Sequence, residues 1–405
     1  MGLFDKYSQI IERHSKLEDF DVDPFNVCVD RVISPTVGII NGQQKILVGT
    51  NNYLGLTFEA DCIDEAVKAL EEHGTATTGS RIANGTYAGH VQLEQDIASF
   101  LNCRAAIVFP TGYQANLGIL AGLADKSDTI LLDADSHASI YDGCTLSGAT
   151  MIRFRHNSPA DLDKRLERLK DDKSNKLVVI ESIYSMFGDR APLDEFVDVK
   201  NRHGVSLLVD EAHSLGIFGD CGRGLAAEMD VGADVDYTVG TFSKSLGTVG
   251  GFGASNHPLF ETLRYTSRPY MYTASSSPSN VAAAITALKH IRTRPELRTN
   301  LWQNAKMLYD SLSELGYDIC APMSPIIAVR MPDEETAIYH WNLLFKAGIY
   351  VNLALPPGAP NGTCLLRCSV SAKHSSEQIA FIVDAFAKSS AIINPKELPR
   401  AAAAQ

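Results

Sequence analysis

Short apolar runs alternate with longer amphipathic stretches from residue 105 to about residue 255. Ala105 to Phe109, Thr129 to Leu132, Met151 to Phe154, Leu177 to Ile180, Ser206 to Val209, Tyr237 to Val239 and Gly251 to Ala254 predict seven strands. Helical patterns fall between most of them, at Gln114 to Leu123, Ala160 to Leu169 and Asp194 to His203. Strands that are apolar throughout, rather than alternating, belong to a sheet covered on both faces. The rhythm therefore predicts an α/β domain with a mainly parallel seven-stranded sheet and helices on both faces. Beyond residue 280 the rhythm changes. Two helical patterns, Ser279 to Ile291 and Arg298 to Leu315, lead to strands at Ile326 to Arg330, Ile349 to Asn352 and Cys364 to Ser369, as in a smaller α+β domain. The expected organisation is an N-terminal helix and arm over 1–45, a large domain over 46–285 and a small C-terminal domain over 286–405.

The first residues carry their own pattern. Leu3, Phe4, Tyr7, Ile10, Ile11 and Leu17 fall on one helical face within residues 3–17. Such a face packs on its own domain or on a partner subunit, and a weak membrane-surface contact stays open as an alternative. The polar face mixes Asp5, Lys6, Glu12 and Arg13, which weakens the membrane reading. At the other end, Pro395 to Gln405 is rich in Pro and Ala and is expected to fray.

Composition narrows the class. With 405 residues the chain can bury two cores. Its 45% apolar and 21% charged content is that of a globular protein, not a disordered or fibrous one. A net charge of −12 repels phosphate backbones and argues against nucleic-acid binding. Eight scattered cysteines without a C-x-x-C pair fit a reducing cytoplasm, with no disulfide framework and no zinc site. The N-terminus has no signal-peptide pattern, and no window approaches the roughly 18 apolar residues of a membrane span.

In a parallel α/β sheet, ligands sit beyond the carboxyl ends of the strands. Those positions read Thr111-Gly112-Tyr113, Asp135-Ser136-His137, Glu181 to Ser185, Asp210-Glu211-Ala212-His213 and Thr241-Phe242-Ser243-Lys244. A carboxylate at Asp210, at the mouth of a buried strand, needs a donor or cation, and a protonated pyridine nitrogen is one. A lysine at the next strand end, Lys244, is placed for Schiff-base chemistry. Gly112 lets a backbone approach a ligand, and the helix after it offers N–H groups to a phosphate. His137 can offer an aromatic face to a flat ring. Singly, each has a bland reading: a helix cap, a core histidine, a surface lysine. Their joint placement after successive strands points to one site.

Asp210-Glu211-Ala212-His213 also spells the DEAH box of nucleic-acid helicases. That reading needs a phosphate-binding loop upstream. Gly240 to Ser245 lacks the glycine before the lysine and lies downstream, in the wrong order. Gly247 to Gly253 is glycine-rich but lacks the G-x-G-x-x-G spacing of a dinucleotide fold.

From about Asp23 to Phe386 the chain resembles the α-oxoamine synthases, fold-type I enzymes that use pyridoxal 5'-phosphate (PLP). Asn51-Asn52-Tyr53-Leu54-Gly55-Leu56 is similar to the family's N-Y-L-G-L motif, and Thr77 to Gly85, Thr111 to Asn116, Asp210 to His213 and Gly240 to Lys244 follow in its order. Asp133 to Gly143, Gly240 to Ser245 with Ser243 before the lysine, Arg268 to Ser275 and Leu365 to Ser369 are most similar to the bacterial serine palmitoyltransferase branch. The resemblance implies roles. Lys244 carries the cofactor as a Schiff base and moves the α-proton. Asp210 pairs with the pyridinium nitrogen, His213 contacts the ring hydroxyl, and His137 stacks on the ring and contacts the substrate carboxylate. Gly112, Tyr113, Ser185, Thr241 and Ser243 help hold the cofactor, and Thr273 and Ala274 reach in from the partner of a homodimer with shared sites. Asn52 and Arg367 bind the amino-acid carboxylate. The implied reaction condenses L-serine with a long-chain acyl-CoA such as palmitoyl-CoA, with loss of CO2 and CoA, to give 3-oxosphinganine. The glycine–acetyl-CoA branch and an aminotransferase stay as alternatives. Two positions depart from the branch: Ser182 stands where its E-G-V-Y-S-M segment has glycine, and Pro356-Pro357-Gly358-Ala359 where it has P-P-A-T.

Overall fold

The computed structural model describes residues 2–8, 10–11 and 23–393. They divide into two compact units, one of residues 51–303 with 371–373, the other of the described residues before 51, residues 304–370 and residues 374–393. Of the helix expected over residues 3–17, the described part contains a 3-10 turn at Asp5–Tyr7 with Ser8, Ile10 and Ile11 helical after it; residues 12–17, and the tail from Pro395, lie outside the described residues.

The second unit is built on two small sheets. Strands β1 (Arg31–Ser34), β2 (Val37–Ile40) and β3 (Gln43–Leu47) form an antiparallel meander. The larger unit contributes seven strands: β4 (Ala105–Phe109), β5 (Thr129–Asp133), β6 (Thr150–Phe154), β7 (Lys176–Glu181), β8 (Ser206–Asp210), β9 (Tyr237–Thr241) and β10 (Gly251–Ser255). The second unit resumes with β11 (Ile326–Met331), β12 (Ile349–Tyr350), β13 (Asn352–Ala354) and β14 (Cys364–Ser369). Strands β1 to β3 join the C-terminal segments because β12 pairs in parallel with β3; the sequence pattern had set an arm apart at 45 and a boundary at 285. β11, β14 and β13 form an antiparallel sheet over a core that holds Trp341, Phe386 and Ile327.

In the larger unit the strand order is β4-β10-β9-β8-β7-β5-β6. β10 runs antiparallel to both neighbours, and the other pairings are parallel. The reason is in the composition of the strands: Leu207, Leu208 and Val209 of β8, like Val178, Val179 and Ile180 of β7, have no exposed surface. Each such side chain contributes about 2 kcal/mol on burial, so the register is fixed and the polar residues are left at the strand mouths. All seven predicted strands are present. Unread in the sequence pattern were β1 to β3, with Gln43-Gln44-Lys45 masking the apolar signal, and the helices Ala60–His73, Ala88–Phe100 and Ala138–Ser147. The last carries Ser139, Asp142, Gly143, Thr145 and Ser147 in ten residues, so its apolar stripe is faint.

One ionic pin ties the ends of two strands to the loop that follows a third. His156, just past β6, places Nδ1 2.8 Å from Asp133 Oδ1 at the end of β5. Its Nε2 lies 2.8 Å from Asp189 Oδ2 in the loop after β7. Burial disfavours the charged ring, but the hydrogen bonds to the two carboxylates outweigh it and push the pKa up to about 10. A raised histidine pKa gives stability that is complete below the ordinary value of 6.5 and is lost as pH rises through about 10. Urea unfolding of wild type and His156→Gln should therefore show the widest gap below pH 6.5, narrowing steadily towards pH 10; a gap that does not change with pH would rule out a charged pin.

Candidate active site

The carboxyl ends of β7, β8 and β9 and the start of the helix Gly112–Leu123 open onto a cavity of about 270 Å³ in the larger unit. Gly112, Tyr113, His137, Asp210, His213, Thr241, Ser243 and Lys244 all line it. Asp210 ends β8 and is 5% exposed. Asn116 Nδ2 donates to its Oδ2 at 2.8 Å, and the Ala212 amide donates to its Oδ1 at 2.8 Å. Asn116 is a further functional residue whose role was not read from the sequence. The signal was there, since it lies four residues after Gly112 on the same helix face. Its amide also donates to Ser139 Oγ at 3.0 Å.

His137 is the N-cap of the helix Ala138–Ser147. Its Nδ1 pairs with Ser139 Oγ at 2.8 Å, and its backbone amide donates to the Glu181 carboxylate. Burial lowers the imidazole pKa; the Asp210 carboxylate pulls it back and the Lys244 ammonium lowers it again, so the ring is neutral at neutral pH. Glu181, which ends β7 beside Asp210, also lines the cavity. Burial first, and then the Asp210 charge, hold its carboxyl well above the usual range. Its position was plain in the sequence as a strand end, but its pairing with Asp210 depends on register. His213 Nδ1 meets the Tyr53 hydroxyl at 2.8 Å.

Gly112 is required by close approach: a Cβ there would lie 2.7 Å from Thr241 Cβ. Thr111 caps the helix, accepting from the Gln114 amide at 3.1 Å. Thr241 Oγ1 donates to the Gly250 carbonyl at 3.0 Å and pairs with Ser243 Oγ at 2.9 Å, which braces the turn that carries Lys244. The Tyr113 hydroxyl, on the exposed side, bonds Asp142, and that bond raises its pKa.

Other expected residues lie elsewhere. Ser185 is half-buried in the loop after β7 and is not part of the cavity wall. Thr273 Oγ1 accepts from Gln114 Nε2 at 3.2 Å, and Ala274 beside it is exposed. Asn52 Nδ2 donates to Thr57 Oγ1 at 2.8 Å, and its Oδ1 is buried with no hydrogen-bond partner. Arg367 and the Pro356–Ala359 loop belong to the second unit. There Arg367 is 5% exposed on β14, opposite Ala328 and Asn352, and donates to Ser369 Oγ at 2.8 Å.

The structure accounts for Ser182. Its hydroxyl donates to the Asp210 carbonyl at 3.0 Å and pairs with Ser214 Oγ at 2.7 Å. Ser214 in turn bonds the buried Glu211 carboxyl, which accepts the amides of Leu225 and Ala226 at 3.0 and 2.9 Å. A glycine at 182 would leave the base of the Asp210 turn without this strut.

Comparison with known proteins places the chain. Residues 43–386 match the family model of aminotransferase class I and II. The serine palmitoyltransferase of Caulobacter vibrioides is 52% identical over 99% of this chain and 100% of its own length. That of Sphingomonas paucimobilis is 49% identical over 95% of this chain and 92% of its own. A solved structure of SPT with PLP as an internal aldimine superposes with a TM-score of 0.95 at 47% identity, covering 97% of this chain and all of that one. A cavity of this composition, at the strand ends of this sheet, in a chain related over its whole length to these enzymes, makes it a member of the serine palmitoyltransferase family within aminotransferase class I and II.

Proposed function

We propose that this chain condenses L-serine with a long-chain acyl-CoA, palmitoyl-CoA being the reference donor, to give 3-oxosphinganine, CoA and CO2 with uptake of one proton. The observation that carries the reading is the convergence of Lys244, Asp210 and His137 on one cavity. The residues fit PLP. Asp210 offers a buried carboxylate already fixed by two donors and aimed into the cavity, as a pyridinium nitrogen requires. A Cβ at Gly112 would close the approach to Thr241, and the helix start leaves the Gly112 and Tyr113 amides without intrahelical acceptors, ready for a phosphate. When bound, PLP supplies an electron sink that drains negative charge from the α-carbon of the amino acid.

The chain supplies the rest. Lys244 Nζ would hold the cofactor and serve as the base for the α-proton of serine. Asp210 would hold the proton of the ring nitrogen. The His137 imidazole, on the cavity wall, would face the ring and the serine carboxylate. His213, held by Tyr53, would face the ring hydroxyl, Thr241 and Ser243 would hold the cofactor from the cavity wall, and Ser185, from the loop beyond Glu181, would reach it from outside that wall. Asn52 and Arg367 bind the carboxylate that leaves as CO2 when the new carbon–carbon bond replaces the thioester bond. We further propose a homodimer in which Thr273 and Ala274 complete the partner's cavity. The exposed Ile63, Val67 and Leu70 on one face of the helix Ala60–His73 support a partner-covered surface. No helix among the described residues is long and apolar enough to cross a membrane, and we place the enzyme in the cytoplasm.

Borohydride reduction of the purified yellow protein should fix PLP on Lys244, read by peptide mass spectrometry; an adduct on another lysine defeats the assignment. Arg367→Ala should retain its cofactor spectrum and bind serine roughly 10- to 100-fold more weakly, as loss of a charge-assisted contact implies; an unchanged serine titration would refute that role. Serine with palmitoyl-CoA should release CoA thiol and labelled CO2 in equal amounts, with glycine and acetyl-CoA a poor pair. Thiol release from glycine and acetyl-CoA alone, or amino transfer to a keto acid with no thiol release, would overturn the substrate assignment.

A further inference from the structure

The His156 pin joins the segment that leads to His137 with the loop that follows Glu181, and both of those residues line the cavity. Both ring nitrogens face carboxylates, which only accept, so both nitrogens carry protons. On one side, Asp133 Oδ1 also takes the Asp135 amide at 2.9 Å and Oδ2 takes the Asn157 amide at 2.8 Å. Two residues on is His137, whose own amide donates to Glu181. On the other side, Asp189 Oδ2 takes Asn157 Nδ2 at 2.6 Å, and the Asp189 carbonyl takes the Tyr184 amide at 3.0 Å. Tyr184 sets its ring edge-on to His156 at 4.4 Å between centroids. The segment from Ser182 to Ala191 is closed by its own backbone, with Ile183 bridged to Arg190 and the Ala191 amide bonded to the Ser182 carbonyl at 2.9 Å. It carries Ser185.

Three carboxylates surround the ring, since Asp135 Oδ2 lies 4.0 Å from Nδ1. Without the imidazolium they would repel one another across the gap between the loops. We propose that His156 is a positioning residue for the reaction: by bridging Asp133 and Asp189 it fixes the segment that carries His137 and the loop that carries Ser185 at their settings beside the cavity. This rests on the roles proposed above for those two residues. His156 itself lines no part of the cavity, so it acts only through them.

The test uses the full-length protein with PLP bound and again after the cofactor is removed. In His156→Gln, hydrogen exchange read by mass spectrometry should quicken at least about tenfold in peptides covering 134–137 and 182–191, with β8 and β9 unchanged. The visible circular dichroism of bound PLP should fall, and serine should bind about tenfold more weakly or worse, as expected when a contact group is displaced. Asp189→Asn, a milder change, should give the same loop-selective exchange should His156→Gln fail to fold. The double variant should bind serine no more weakly than the weaker single variant, because both remove one bridge. Exchange that quickens evenly over the whole sheet, unchanged exchange and serine binding, or strictly additive losses in the double variant would each overturn the proposal. Wild-type protein that takes up no PLP would sink the reading of the cavity and this role with it, and that outcome shows before any substitution is made.

Discussion

A carboxylate at the end of a strand buried on both faces must be met by donors, and most of the site follows from how Asp210 is met. Its strand cannot shift, because Leu207, Leu208 and Val209 are fully enclosed. Its two oxygens take one side-chain amide and one backbone amide, which orients the carboxylate towards the cavity that Lys244 also lines. A buried anion in that condition favours whatever positive group enters the cavity. The Ser182–Ser214–Glu211 chain beneath it serves the same end from behind, since it holds the Asp210 carbonyl and the following turn in place.

The anion also sets the protonation of its neighbours. Glu181 lies beside Asp210 in register, and two carboxyls so close and so buried do not both ionise easily. The imidazole of His137 feels Asp210 and Lys244 in opposite senses, and burial decides the balance in favour of the neutral ring. A neutral, flat ring can face a cofactor without adding charge to the cavity.

The large unit was legible from its sequence because its strands are apolar from end to end, and the strand mouths stood out as polar interruptions. That was enough to bring Lys244, Asp210, His137, His213, Gly112 and Thr241 to one place. What did not show is pairing that depends on register or on tertiary approach. Asn116 reads as an ordinary helix residue until β8 sets Asp210 opposite it. Ser182 reads as a departure from a motif until Ser214 comes within reach. His156 reads as a loop histidine until two carboxylates from distant segments meet it. The first fifty residues were the hardest to place, because β3 finds its partner β12 some three hundred residues later in the chain.

The antiparallel strand β10 lies between β4 and β9, so it joins the helix start at Gly112 to the turn that carries Lys244. During synthesis β4 emerges long before β10, and until β10 arrives both β4 and β9 present open apolar edges. The halves of the cavity that would grip a phosphate and bear the lysine are unconnected for that whole interval. Such long-range pairing is slow and exposes the chain to aggregation. Until β10 is paired the cofactor thus has no complete pocket to enter, so its uptake follows the joining of β4 to β9 through β10.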